Sequence, residues 1–105
     1  GKPFLLTEVG YPSLPWGLKH AWNYVNKEGV DADAHTQARG YDAFFNVWSD
    51  DLRSHDGAAD HPFFGVFFYA WDPYNQGGPR DTGYGVRGKP ALDVVRDRLN
   101  ALGVQ

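Results

Sequence analysis

Two stretches of this chain are almost unbroken in apolar residues, and two others repeat apolar residues every third or fourth position. Phe4 to Val9 is a nearly continuous apolar run that takes in Glu8 near its end. Phe63 to Trp71, with Val66, Phe67, Phe68 and Tyr69 in sequence, has the same character. Neither shows the polar–apolar alternation of a strand with one wet face, so both read as strands buried on both faces, the habit of parallel sheets. Ala34, Ala38, Tyr41, Phe45, Trp48 and Leu52 recur at helical spacing and define one face of an amphipathic helix. Asp31 or Asp33 can cap its start. Gly40 inside it costs about 1 kcal/mol relative to Ala and would let the helix sit close to a neighbour. Leu92, Val95, Leu99 and Leu102 form the apolar face of a last helix, with Pro90 suited to its first turn and Gly103 to its C-cap.

Between these elements the chain is rich in Gly, Pro, Asn and aromatic residues. Tyr11 to Val30 reads as a long loop, a length that often carries function. Ser54 to Pro62 ends the first helix and turns the chain, and a second Gly-rich loop runs from Asp72 to Gly88. The order strand, loop, helix, strand, loop, helix is that of two βα units with parallel strands, so the fold class expected is α/β over residues 1–105. Two parallel strands alone leave both sheet edges bare. A closed (β/α) barrel takes eight such units in about 250 residues, so the pattern fits roughly a quarter of a barrel, or part of an open α/β sheet.

Composition narrows the class further. Of 105 residues, 42% are hydrophobic and 22% charged, which is globular rather than disordered. The net charge of -3 offers nothing to attract nucleic acid or an anionic membrane, and no apolar run approaches the roughly 20 residues of a membrane span. With no cysteine there is neither a disulfide nor a thiolate metal site. No methionine stands at position 1, and the chain opens directly on a strand-like run, so it is expected to begin inside a longer protein.

Glu8 is the first candidate for chemistry. A carboxylate near the carboxyl end of a buried strand is costly unless it has a task or a partner, and barrel enzymes carry their catalytic residues at those strand ends. It is either a functional carboxylate or one half of an ion pair at the strand exit. Trp71 and Asp72 close the second strand. The indole would lie at the same rim as Glu8, as a platform for the C–H face of a sugar ring or packed beneath its own loop. Asp81, Thr82, Gly83 and Tyr84 either bind a polar ligand or make a turn. Gly83 to Lys89 has the spacing of a phosphate-binding loop, but Pro90 follows where a Ser or Thr must hold magnesium. His20, His35, His55 and His61 lack metal-ligand spacing and read as solvated, so no metal is expected.

Thr7-Glu8-Val9-Gly10-Tyr11-Pro12-Ser13 resembles the seventh-strand motif of retaining (β/α)-barrel glycosidases. Gln37-Ala38-Arg39-Gly40-Tyr41 resembles the start of the seventh helix, and Phe68-Tyr69-Ala70-Trp71-Asp72-Pro73 the eighth strand. Gly78-Pro79-Arg80-Asp81-Thr82-Gly83-Tyr84, with Arg87-Gly88-Lys89-Pro90-Ala91, resembles the closing segment of glycoside hydrolase family 113, best known for β-1,4-mannanases. The resemblance implies the last quarter of a TIM barrel, with Glu8 as the nucleophile. It puts Trp71 beneath the sugar and Tyr11 near the nucleophile, with Trp16, Asp72, Asp81 and Tyr84 on loops bordering the substrate cleft. It implies a polysaccharide or oligosaccharide substrate, β-mannan ahead of β-glucan or chitosan, and no metal or organic cofactor. The remainder of the barrel is the implied partner, and neither nucleic acid nor membrane is. The family's acid/base Glu lies on a fourth strand that this segment lacks, so the piece alone is expected to be inactive. The competing readings are a sugar-binding or protein-interaction segment without catalysis.

Overall fold

The computed structural model describes residues 2–54 and 63–103. They form a small α/β domain of β1 (Phe4–Val9), α1 (Ala34–Ser54), β2 (Phe63–Phe68) and α2 (Pro90–Ala101), in the alternation that the hydrophobic pattern predicts. The strands pair in parallel as a two-stranded sheet. No helix among the described residues is long and apolar enough to cross a membrane.

The helix ends follow local chemistry. Of the two candidate caps, Asp33 is the one used: its Oδ1 accepts from the Thr36 N–H at 2.9 Å and its Oδ2 from the Thr36 hydroxyl at 2.8 Å. Those bonds satisfy an orphan donor of the first turn and, led by the Thr36 N–H, hold the Asp33 carboxyl below its ordinary range. α2 starts with Pro90 in its first turn, where the missing N–H is no loss. Leu102 caps its end, and Gly103 follows at φ 77°, a left-handed conformation that Gly adopts without strain.

The core is aromatic and lies between α1 and one face of the sheet. Tyr41, Phe44 and Phe45 are buried on α1, and Phe68 of β2 meets Tyr41 edge-on at 5.6 Å and Phe44 at 5.5 Å. Trp48 stacks on Phe63 at 5.3 Å, and Phe4 meets both rings. Phe44 falls outside the apolar stripe expected from spacing, which widens the buried face of α1. On α2 the packed face is wider than expected: Leu92 and Val95 of the apolar stripe pack, with Val94, on a cluster of Ala38, Tyr41, Val86 and the fully buried Ala91. Gly40 has the role its position suggests. A Cβ there would come within 2.7 Å of both the Tyr11 ring and the Leu18 side chain, so the helix approaches the long loop closely.

The expectation of strands buried on both faces needs correction for the chain by itself. α1 covers one face, and no element among the described residues covers the other. Leu5 is 42% exposed and Phe67 63%. The strands carry the hydrophobic pattern of burial on both faces, while the described residues supply one of the two layers that would bury it.

Candidate functional site

β1 and β2 end side by side, and the site is built where they end. The register runs Phe4↔Phe63, Leu6↔Val66 and Val9↔Phe68, with irregularities on either side of Leu6. Between Leu6 and Val9 the extra residue falls on β1, in the Thr7–Glu8 stretch. A bulge of this kind re-aims a side chain out of strict alternation. Leu6 lines a depression with Phe44 and Trp48 of α1, and Glu8 borders both that depression and the cleft among the loops. Past the bulge, Tyr69 donates its N–H to the Val9 carbonyl at 2.8 Å. The strand ends are so close here that a Cβ on Gly10 would lie 2.0 Å from the Tyr69 carbonyl oxygen.

Glu8 is exposed and lines an open cleft of about 530 Å³ with Gly10, Ala21, Trp22, Tyr24, Tyr69 and Tyr84. The walls are aromatic. Tyr84 packs against Tyr69 at 5.3 Å and Tyr24 at 5.7 Å, and its hydroxyl donates to the Ala21 carbonyl. Burial raises the Tyr84 phenol above its ordinary pKa, and Tyr24, Tyr69 and the Glu8 carboxylate add to the effect. The Glu8 charge therefore acts inside a ring-lined space rather than against an arginine. No ion pair among the described residues involves Glu8.

The other candidate residues are distributed differently. Tyr11 lies on the α1 side of the strand end, edge-on to Tyr41 at 5.2 Å, and burial raises its phenol. It shares only a shallower depression with Glu8. Trp16 lies outside the cleft and donates its indole N–H to the Asn23 carbonyl at 2.7 Å. Trp71 is exposed and lies with Arg87 5.8 Å from its ring centroid, in a small depression that also includes Asp72. The structure does not bring Trp71 and Glu8 into one pocket. Asp72 makes a turn, accepting the Tyr74 N–H at 2.9 Å.

Asp81 belongs to an internal tie. It pairs with Lys89 Nζ at 2.8 Å, and that ammonium, with no exposed side-chain surface, also donates to Ser13 Oγ at 2.9 Å and the Gly83 carbonyl at 3.1 Å. Burial pushes the Asp81 carboxyl up, but Lys89, the Gly83 backbone and Asn75 outweigh it and hold it below its ordinary range. Burial likewise lowers Lys89 against the pull of Asp81. The Lys of the phosphate-loop-like spacing is thus committed to holding the Gly-rich loop against Ser13. Gln37, fully buried, fastens the same two loops: its Nε2 donates to the carbonyls of Tyr11 at 2.9 Å, Tyr84 at 3.0 Å and Gly85 at 3.2 Å.

His20 packs edge-on to Trp22 at 5.9 Å and His35 is exposed; His55 and His61 lie outside the described residues. Among the described residues no group of His, Cys, Asp and Glu could hold a metal ion. Trp22, Tyr24 and Tyr69 line the cleft without having been singled out by sequence. Their signal was the density of aromatic residues at the strand exit and in the loop, which carries no periodicity to say which rings share a wall. Comparison with protein-family profiles, with curated proteins and with solved structures finds no match to this chain.

Proposed function

We propose that the chain is the last quarter of a (β/α)-barrel retaining glycosidase and that Glu8 is its nucleophile. The observation carrying this is a carboxylate at the carboxyl end of a parallel strand, facing a cleft walled by Trp22, Tyr24, Tyr69 and Tyr84. Parallel barrels place their chemistry at that end of the strands. Aromatic rings offer the C–H faces of sugars an apolar surface, and the open cleft keeps room for a polymer. The second support is the bare sheet. Its face carrying Leu5 and Phe67 is covered by no element among the described residues, which fits a piece that lacks its neighbours.

In that reading the ionised Glu8 attacks the anomeric carbon as the glycosidic C–O bond breaks. The leaving oxygen takes a proton from an acid on another part of the barrel, about 5–5.5 Å from Glu8. A glycosyl–Glu8 ester forms. The same partner, now a base, deprotonates water, which displaces Glu8 and returns the sugar with retained configuration. β-1,4-Mannan is the preferred substrate through the resemblance of the TEVGY, DTGY and RGKPA segments.

Azide rescue tests the role of Glu8. In the full-length protein, Glu8→Ala should lower turnover of an activated aryl β-mannoside at least about a thousandfold. Added azide should restore release of the aryl group and yield the α-mannosyl azide. Full activity in Glu8→Ala would refute the assignment, as expected if the segment binds sugar or protein without catalysis.

A further inference from the structure

The loop that forms the outer wall of the cleft is pinned on both sides of one residue. Ala21 and Asn23 flank Trp22, and the backbone carbonyl of each is held by a side chain from elsewhere. The Tyr84 hydroxyl donates to the Ala21 carbonyl, and the Trp16 indole N–H donates to the Asn23 carbonyl at 2.7 Å. Trp22 between them is 74% exposed, yet it lines the cleft with Glu8. Among the described residues its aromatic contact is T-shaped, with His20 at 5.9 Å, so no described ring lies parallel on the indole. A large apolar side chain held this far out in water gains little for folding. Fixing its backbone from both sides removes freedom that a ligand would otherwise have to freeze.

We propose that Trp22 is a preorganised stacking platform for one pyranose ring of the substrate, next to the ring attacked by Glu8, with Trp16 and Tyr84 as its positioning residues. This rests on the carbohydrate reading of the cleft and deepens it: the ligand is a β-1,4-linked oligosaccharide long enough to reach the loop, and the platform contributes to binding rather than to bond cleavage. Tyr84 joins the two parts of the site, because its ring lies in the Glu8 cleft while its hydroxyl holds the platform loop.

Binding measured apart from turnover tests it. In the full-length protein with Glu8→Gln, calorimetry with β-1,4-mannotetraose and cellotetraose should detect binding of at least one. Adding Trp22→Ala should weaken it about ten- to thirtyfold, and Trp22→Phe should recover part of the loss. Tyr84→Phe, which removes only the hydroxyl, should weaken binding less and broaden the Trp22 indole N–H resonance. With Glu8 intact, Trp22→Ala should raise KM for the oligosaccharide and leave kcat nearly unchanged. Because Trp22 is exposed, an unchanged melting temperature certifies the fold of the variant. Equal affinity with and without the Trp22 indole overturns the platform while leaving Glu8 chemistry intact. Failure of both tetrasaccharides to bind overturns it too. Trp22-dependent binding in a protein that never turns over substrate sustains the platform and removes the catalytic reading.

Discussion

Lys89 shows how single residues in this chain divide between structure and chemistry. Its buried ammonium meets one carboxylate, Asp81, and two neutral acceptors. Removing the countercharge leaves a buried cation uncompensated, so Asp81→Asn should cost about 3–5 kcal/mol of stability by urea unfolding. Replacing both partners, with Lys89→Met added, should recover most of that loss. The pH dependence follows from Asp81. Its folded pKa lies below the ordinary value of 3.8, so its contribution is present above that value and is lost as the pH falls through the lower folded one. Acid unfolding should therefore lose this step in Asp81→Asn. Sequence alone left Asp81 and Tyr84 open between turn and ligand, because both lie in a loop whose path no periodicity sets. In the fold Asp81 pairs with Lys89, and Tyr84 lines the cleft beside Glu8. The place of Glu8 at the end of β1 was legible because a charge inside an apolar strand stands out against its neighbours.

At the scale of elements, both strands and both helices were legible from spacing, since burial on one face imposes a period on helices and length distinguishes the strands. The loops were not. The contact made by Gly40 illustrates the boundary: its presence in a helix signals close approach, but only the fold shows that Tyr11 and Leu18 are what approaches. Gly40→Ala should gain up to about 1 kcal/mol of helix propensity and lose about 1–3 kcal/mol to overpacking, for a net fall in unfolding midpoint. Gly10→Ala places a methyl against the Tyr69 carbonyl of the neighbouring strand end, where backbone must move to make room. It should lower both stability and any activity that depends on the spacing of Glu8 and Tyr69, as read by thermal unfolding and turnover of the full-length protein. The apolar face expected of α2 is met at Leu92 and Val95, and the packed face is wider than that stripe because the smaller Ala91 and Val94 also meet the core.

At the scale of the whole molecule the most telling feature is the mismatch between strand sequence and strand environment. Strands whose unbroken apolar runs predict burial on two faces are covered on one among the described residues, with Leu5 and Phe67 left in water. Neither edge of the pair has a further strand among the described residues, and such edges promote association. The 105-residue chain purified alone should therefore self-associate in size-exclusion chromatography and show no hydrolysis of mannan. A monodisperse, active 105-residue monomer would contradict the incomplete-barrel reading. The most direct test of the central claim is to trap the covalent intermediate. The full-length protein would be reacted with an activated 2-deoxy-2-fluoro-β-mannosyl reagent and the label located by peptide mass spectrometry. The account predicts a glycosyl ester on Glu8. A label on another carboxylate, or none from this reagent and its glucosyl counterpart, would contradict it.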